Sequence, residues 1–83
     1  MLLKTQAATE IAQFLAYHPT PEQIIAFHPS PEVVERAYEL IQTDREGELS
    51  EEERKELESY LVIEQLMELI KLEARRQLRQ RVS

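Results

Sequence analysis

From Ser50 to the final Ser83 the chain contains neither proline nor glycine, so nothing in that stretch would break a helix. Its start is marked by Ser50-Glu51-Glu52-Glu53, a capping box in which the Ser50 hydroxyl faces the Glu53 N–H and the Glu53 carboxylate reaches back. At 1.5 Å per residue a helix over residues 50–81 is about 48 Å long. A compact globule of this chain length is only about 30 Å across. The helix is therefore expected to overhang its own domain, with its end projecting or covered by a second chain.

Proline punctuates the rest. Leu3, Ala7, Ala8, Ile11, Phe14 and Leu15 recur at helical spacing, which predicts a first helix over residues 3–17 with one apolar face. His18-Pro19 ends it, because the residue before proline is pushed out of helical geometry. The segment Ala16-Tyr17-His18-Pro19-Thr20-Pro21-Glu22 is then echoed ten residues later as Ala26-Phe27-His28-Pro29-Ser30-Pro31-Glu32. In each copy a hydroxyl residue suits the N-cap, proline the first helical position and glutamate the positive end of the helix dipole. This predicts a short helix over 21–27 and a longer one over 31–46, with the aromatic before each His-Pro packed inward. An echo this short is repeated capping chemistry and not a solenoid. Val33, Val34, Ala37, Leu40 and Ile41 share one face of the longer helix, which ends near Gly47, the chain's one glycine, where a left-handed cap costs least. With no alternating apolar runs, the expected fold class is all-α: an N-terminal helix, a short helical turn, then a helical hairpin with a long C-terminal arm, all in one domain over 1–83.

A domain of 83 residues buries little surface, and stability must come from packing or association. The chain has no cysteine, which excludes disulfides, thiolate metal sites and thiol nucleophiles. The longest helix is where association is expected. At about 100° per residue its Val62, Ile63, Leu66, Met67, Leu69, Ile70 and Ala74 spread over roughly 160°, with Leu57, Tyr60 and Leu61 on a displaced arc. That is too wide for one neighbour. One surface suits the N-terminal helices, and the other suits a partner unless the first helix folds over the surplus. Tyr60, Ile63, Met67, Ile70 and Ala74 follow the 3-4 spacing of a helix–helix seam. With Leu66 they form the expected partner interface, for a homodimer or another protein chain.

The formal net charge of -6 is unevenly distributed. Residues 71–83 hold Lys71, Arg75, Arg76, Arg79 and Arg81 against Glu73 alone, while the body is acidic. The acidic body disfavours general affinity for nucleic acid, although Arg75, Arg76, Arg79 and Arg81 offer a contact for phosphate or an acidic partner surface. A solvated helix face also accounts for them. No basic n-region leads into a long apolar run, and no apolar stretch reaches membrane-spanning length, so a cytoplasmic location and no membrane partner are expected.

Several catalytic and metal readings are set aside. Asp44 to Glu53 resembles a calcium-binding EF-hand loop, with Gly47 at the turn and Glu53 at the bidentate position. In that register, however, the first ligand falls on Gln42 and Glu46 replaces a shorter acid. His18 and His28 precede prolines and have no close carboxylate or thiol companions in sequence. There is no Gly-rich phosphate loop and no credible nucleophile triad. The expectation is a protein that is not an enzyme and has no cofactor or metal.

The stretch Ser30-Pro31-Glu32-Val33-Val34-Glu35-Arg36-Ala37-Tyr38-Glu39-Leu40, with Asp44 to Glu53 and Glu56 to Met67, resembles a group of small all-helical proteins common in cyanobacteria, some of them antitoxin-like. The likeness covers residues 20–76 and rests on the capped hairpin. It implies a partner-binding role, in which an acidic helical protein covers a basic site on a toxin or nuclease. No functional residue is carried over from it.

Overall fold

A computed structural model describes residues 5–82, and among them there are four helices and no strand. They are α1 (Gln6–Ala16), α2 (Pro21–Ile25), α3 (Pro31–Arg45) and α4 (Glu51–Val82). The all-α architecture is the expected one, and each boundary has a local cause. Leu3, the expected start of α1, lies outside the described residues. At Thr5 the backbone is extended and the side chain accepts the Ala8 N–H, so the helix proper begins at Gln6. Thr20 and Gln23 form a reciprocal capping box on α2, and Ser50 and Glu53 form another on α4.

The α3–α4 turn is closed by backbone geometry alone. Gly47 has a φ of 72°, the Gly47 N–H donates to the Asp44 carbonyl at 2.9 Å, and the Glu48 N–H donates to the Thr43 carbonyl at 3.1 Å. This is the paired pattern of a left-handed helix stop.

The N-terminus of α3 is finished from a distance. Ser30 caps it by accepting the Val33 N–H, but the third helical residue is valine and cannot reach back as Gln23 and Glu53 do. Glu10, on α1, takes that role: its carboxylate accepts the Ser30 N–H at 2.9 Å and also the Ser30 hydroxyl. One side chain therefore completes the cap of α3 and ties α1 to it. The Ser30 hydroxyl holds the Glu10 carboxyl below the usual Glu range, with help from the Ser30 and Gln6 N–H donors. Truncation of Glu10 to Ala is expected to cost about 1 kcal/mol, the usual cost of a lost cap.

On the next pair of elements, Arg36 makes a bidentate pair with Glu56, both contacts at 2.8 Å, which clips α3 to α4. Arg36 pushes the Glu56 carboxyl down, and Glu56 raises the Arg36 guanidinium in return. A carboxylate held low in the folded state adds stability that is present above its unfolded value of about 4.3 and lost as pH falls through the folded value. Glu10 and Glu56 both have this sign. Acid titration followed by circular dichroism should therefore show loss of structure below about pH 5, less steep in Glu10→Gln than in the unmodified chain.

The expected overhang does not occur. The molecule measures 51 × 22 × 21 Å, so its long dimension matches the helix itself. The reason lies in the elbows between the N-terminal elements, which divide that half into three short pieces strung along α4. The hairpin partner α3 lies beside its first part, clipped through Arg36 and Glu56. Helix α2 lies beside its last part, where Glu22 meets Arg81 at 3.3 Å. Helix α1 joins them at the centre, where Ala7, Val33, Leu40 and Tyr60 form the core.

The two copies of the echo have different backbones. His18 adopts a left-handed φ of 55° and donates its N–H to Leu15, whereas His28 is not left-handed. Of the two aromatics expected inside, only Phe27 is: its ring lies 4.6 Å from that of Phe14. Tyr17 is 85% exposed, because it is the C-cap of α1 and Phe14, one turn earlier, already takes the place beside Phe27.

Candidate partner interface

Helix α4 has two apolar sides. The inner one is the 3-4 series: Tyr60, Met67 and Ala74 are buried, and Ile63 and Ile70 are half-buried. Their neighbours come from the same chain. Ile63 packs on the Ala7–Val33–Leu40–Tyr60 cluster, and Ile24 of α2 sits by Ile70 and Ala74. The spacing did announce a seam, but the N-terminal helices occupy it. Of the six residues expected to meet a partner, Leu66 alone is largely exposed.

The surplus lies on the other side. Leu61, Val62, Leu66, Leu69 and Leu72 are between 45 and 61% exposed. On the helical wheel they span about 140°, centred roughly 150° from the inner series. Sequence reasoning had placed Leu61, Val62 and Leu69 on the broad apolar surface but missed Leu72, which stands between Lys71 and Glu73. The signal that could have found the stripe is that Val62, Leu66 and Leu69 also repeat with 4-3 spacing.

A second open apolar feature is a groove of about 420 Å³ between α3 and α4, floored by Val33, Tyr60, Ile63 and Met67. Val34, Tyr38 and Ile41 stand exposed along its α3 side, and Glu64, Glu68 and Lys71 line it from α4. Lys71 is committed there to a fold contact, because its Nζ donates to the Phe27 carbonyl at 3.0 Å.

At about 100° per residue Arg75, Arg76 and Arg79 fall within one arc of about 100° on α4, and Arg81 stands apart from them. Arg76 pairs with Glu73 at 3.0 Å on the stripe side, and Arg81 turns the other way, to Glu22 on α2. Arg75 borders a shallow depression with Gln65, Glu68, Leu69 and Leu72. Among the described residues no group of three or more His, Asp or Glu side chains is placed to hold a metal ion. Glu53, at the bidentate position of the calcium-like register, instead accepts the Ser50 N–H at 2.9 Å, and that bond holds its carboxyl below the usual range. No described helix is long and apolar enough to cross a membrane. Comparison of the chain with protein-family models, with curated proteins and with solved structures gives no match.

Proposed function

We propose that this chain is a non-enzymatic protein–protein interaction module that receives another polypeptide on the outward stripe of α4. One observation supports the reading above the others: five large aliphatic side chains lie in water along one side of a helix whose opposite side is largely covered by its own chain, apart from the groove beside α3. Single exposed leucines are ordinary on any surface, but a contiguous aliphatic row marks a contact surface. The row is also rigid, because it sits on one continuous helix, so little conformational entropy would be lost on docking.

The alternative use of the C-terminal arginines, binding phosphate or nucleic acid, has less support. Arg76 and Arg81 already have carboxylate partners, and Arg81 lies on the other side of α4 from Arg75, Arg76 and Arg79.

Site-specific photo-crosslinking in the native cell tests the proposal. A photoreactive phenylalanine analogue at Leu66 or Leu69 is expected to give a discrete adduct, whereas the same probe at the exposed, polar Glu35 of α3 gives none. Equal or absent labelling at all three positions would overturn the reading.

A further inference from the structure

The partner that fits the stripe is set by how charge runs along it. The first ten residues of α4 carry Glu51, Glu52, Glu53, Glu56 and Glu58 against Arg54 and Lys55, and its last turns carry the basic cluster that ends in Arg81. The stripe's midline repeats this polarity. At about 100° per residue, Glu58 and Arg76 both project along the same line as the centre of the apolar row, one before it and one after it. Both are exposed. Resting on the interaction-module reading, we propose that the occupant is a second copy of this chain, docked antiparallel through the stripe, with Glu58 of each copy facing Arg76 of the other.

Charge selects this arrangement. In an antiparallel pair whose twofold axis passes beside Met67, residue numbers of facing positions sum to 134. Glu58 then faces Arg76 and Val62 faces Leu72, while Leu61, Leu66 and Leu69 lie level with Glu73, Glu68 and Gln65 of the other copy, so two Val62–Leu72 contacts lie between two ion pairs. Parallel pairing would instead set Glu58 against Glu58 and Arg76 against Arg76, with the acidic and basic halves in self-repulsion. The intrachain Arg76–Glu73 pair is an exposed contact between residues three apart, a weak competitor for the guanidinium.

The paired segment from residue 58 to 76 is about 28 Å long, and a surface one helix wide over that length lies below the standard size for a stable interface. The dimer is therefore concentration-dependent, and its ionic bracket makes it weaken with salt.

Charge reversal with sedimentation velocity tests the register. Glu58→Arg and Arg76→Glu are each expected to weaken self-association by about tenfold, because each sets like charges together twice per dimer. The two substitutions combined are expected to return it to near the unmodified level. Circular dichroism on each variant checks that the helices persist, since both positions are exposed. If the reversals are neutral or their losses add, while Leu69→Glu still abolishes association, the antiparallel register is overturned and the interaction module stands. If a crosslink from Leu66 has a mass other than twice the chain's, the second copy is overturned as occupant. If there is neither self-association nor a crosslink, both readings fail.

Discussion

Replacement of Leu40 by alanine is expected to destabilise the protein by about 3 kcal/mol, in the middle of the range for truncating a fully buried leucine. Leu40 is 1% exposed, the largest side chain so completely enclosed among the described residues. It sits where α1, α3 and α4 come together, among Ala7, Val33 and Tyr60. That position decides the magnitude. Two of its neighbours are small or β-branched and cannot swing into the vacated volume, so a cavity remains and its cost adds to the lost transfer energy. A domain of this length has about 4–12 kcal/mol of stability in total, so the loss is a large fraction of the whole. Thermal unfolding should show it as a midpoint lowered by roughly 12–24 °C. A shift under about 4 °C would mean that the core is looser than the burial of Leu40 implies.

The second large effect comes from making one substitution on each side of α4. Met67→Glu places a carboxylate on the inner side, where the native side chain is buried. It loses the packing of the thioether and must either stay ionised in an apolar setting or protonate, so a cost of about 3 kcal/mol or more is expected. Leu69→Glu, two residues further on, places the same charge on a side chain that is 61% exposed. A surface change of this kind alters monomer stability by only about 0.5 kcal/mol in either direction. Its effect falls on association, which it should abolish by setting a hydrated carboxylate in the centre of the row. Urea unfolding and light scattering on both variants separate the outcomes. Met67→Glu loses stability, and Leu69→Glu keeps stability and loses mass. If Leu69→Glu unfolds the chain while Met67→Glu does not, the two sides have been assigned the wrong way round.

That contrast also marks the limit of what the sequence alone could tell. Features with a local cause were legible. Thr20, Ser30 and Ser50 were identified as caps, and Gly47 as the left-handed stop, because each acts on backbone within five residues of itself. The long helix and its excess of apolar surface followed from the missing prolines and glycines. What stayed hidden depends on distant parts of the chain. Glu10 acts on Ser30 across twenty residues, and nothing near either position marks it as the missing half of a cap. The sides of α4 were confused for the same reason. Tyr60–Ile63–Met67 and Val62–Leu66–Leu69 have equivalent spacing, and periodicity alone cannot say which one the chain's own N-terminal half will cover. Composition gave one clue: the inner series contains Tyr60 and Ala74, a large residue beside α3 and a small one where α2 comes close, whereas the outer row is uniformly branched aliphatic. The overhang that a compact sphere would imply is absent because the elbows at Pro19 and Pro29 draw the short helices out along the rod.

The central claim is that α4 keeps one apolar side for its own fold and offers the other to a partner. Sedimentation equilibrium of the unmodified chain over a wide concentration range, alongside Leu69→Glu, tests it most directly. The weight-average mass of the unmodified chain should rise from 9.8 kDa towards twice that value, while Leu69→Glu stays folded at the monomer mass throughout. An unmodified chain that holds the monomer mass up to its solubility limit and gives no crosslink from Leu66, or a Leu69→Glu variant that associates as strongly, would contradict it.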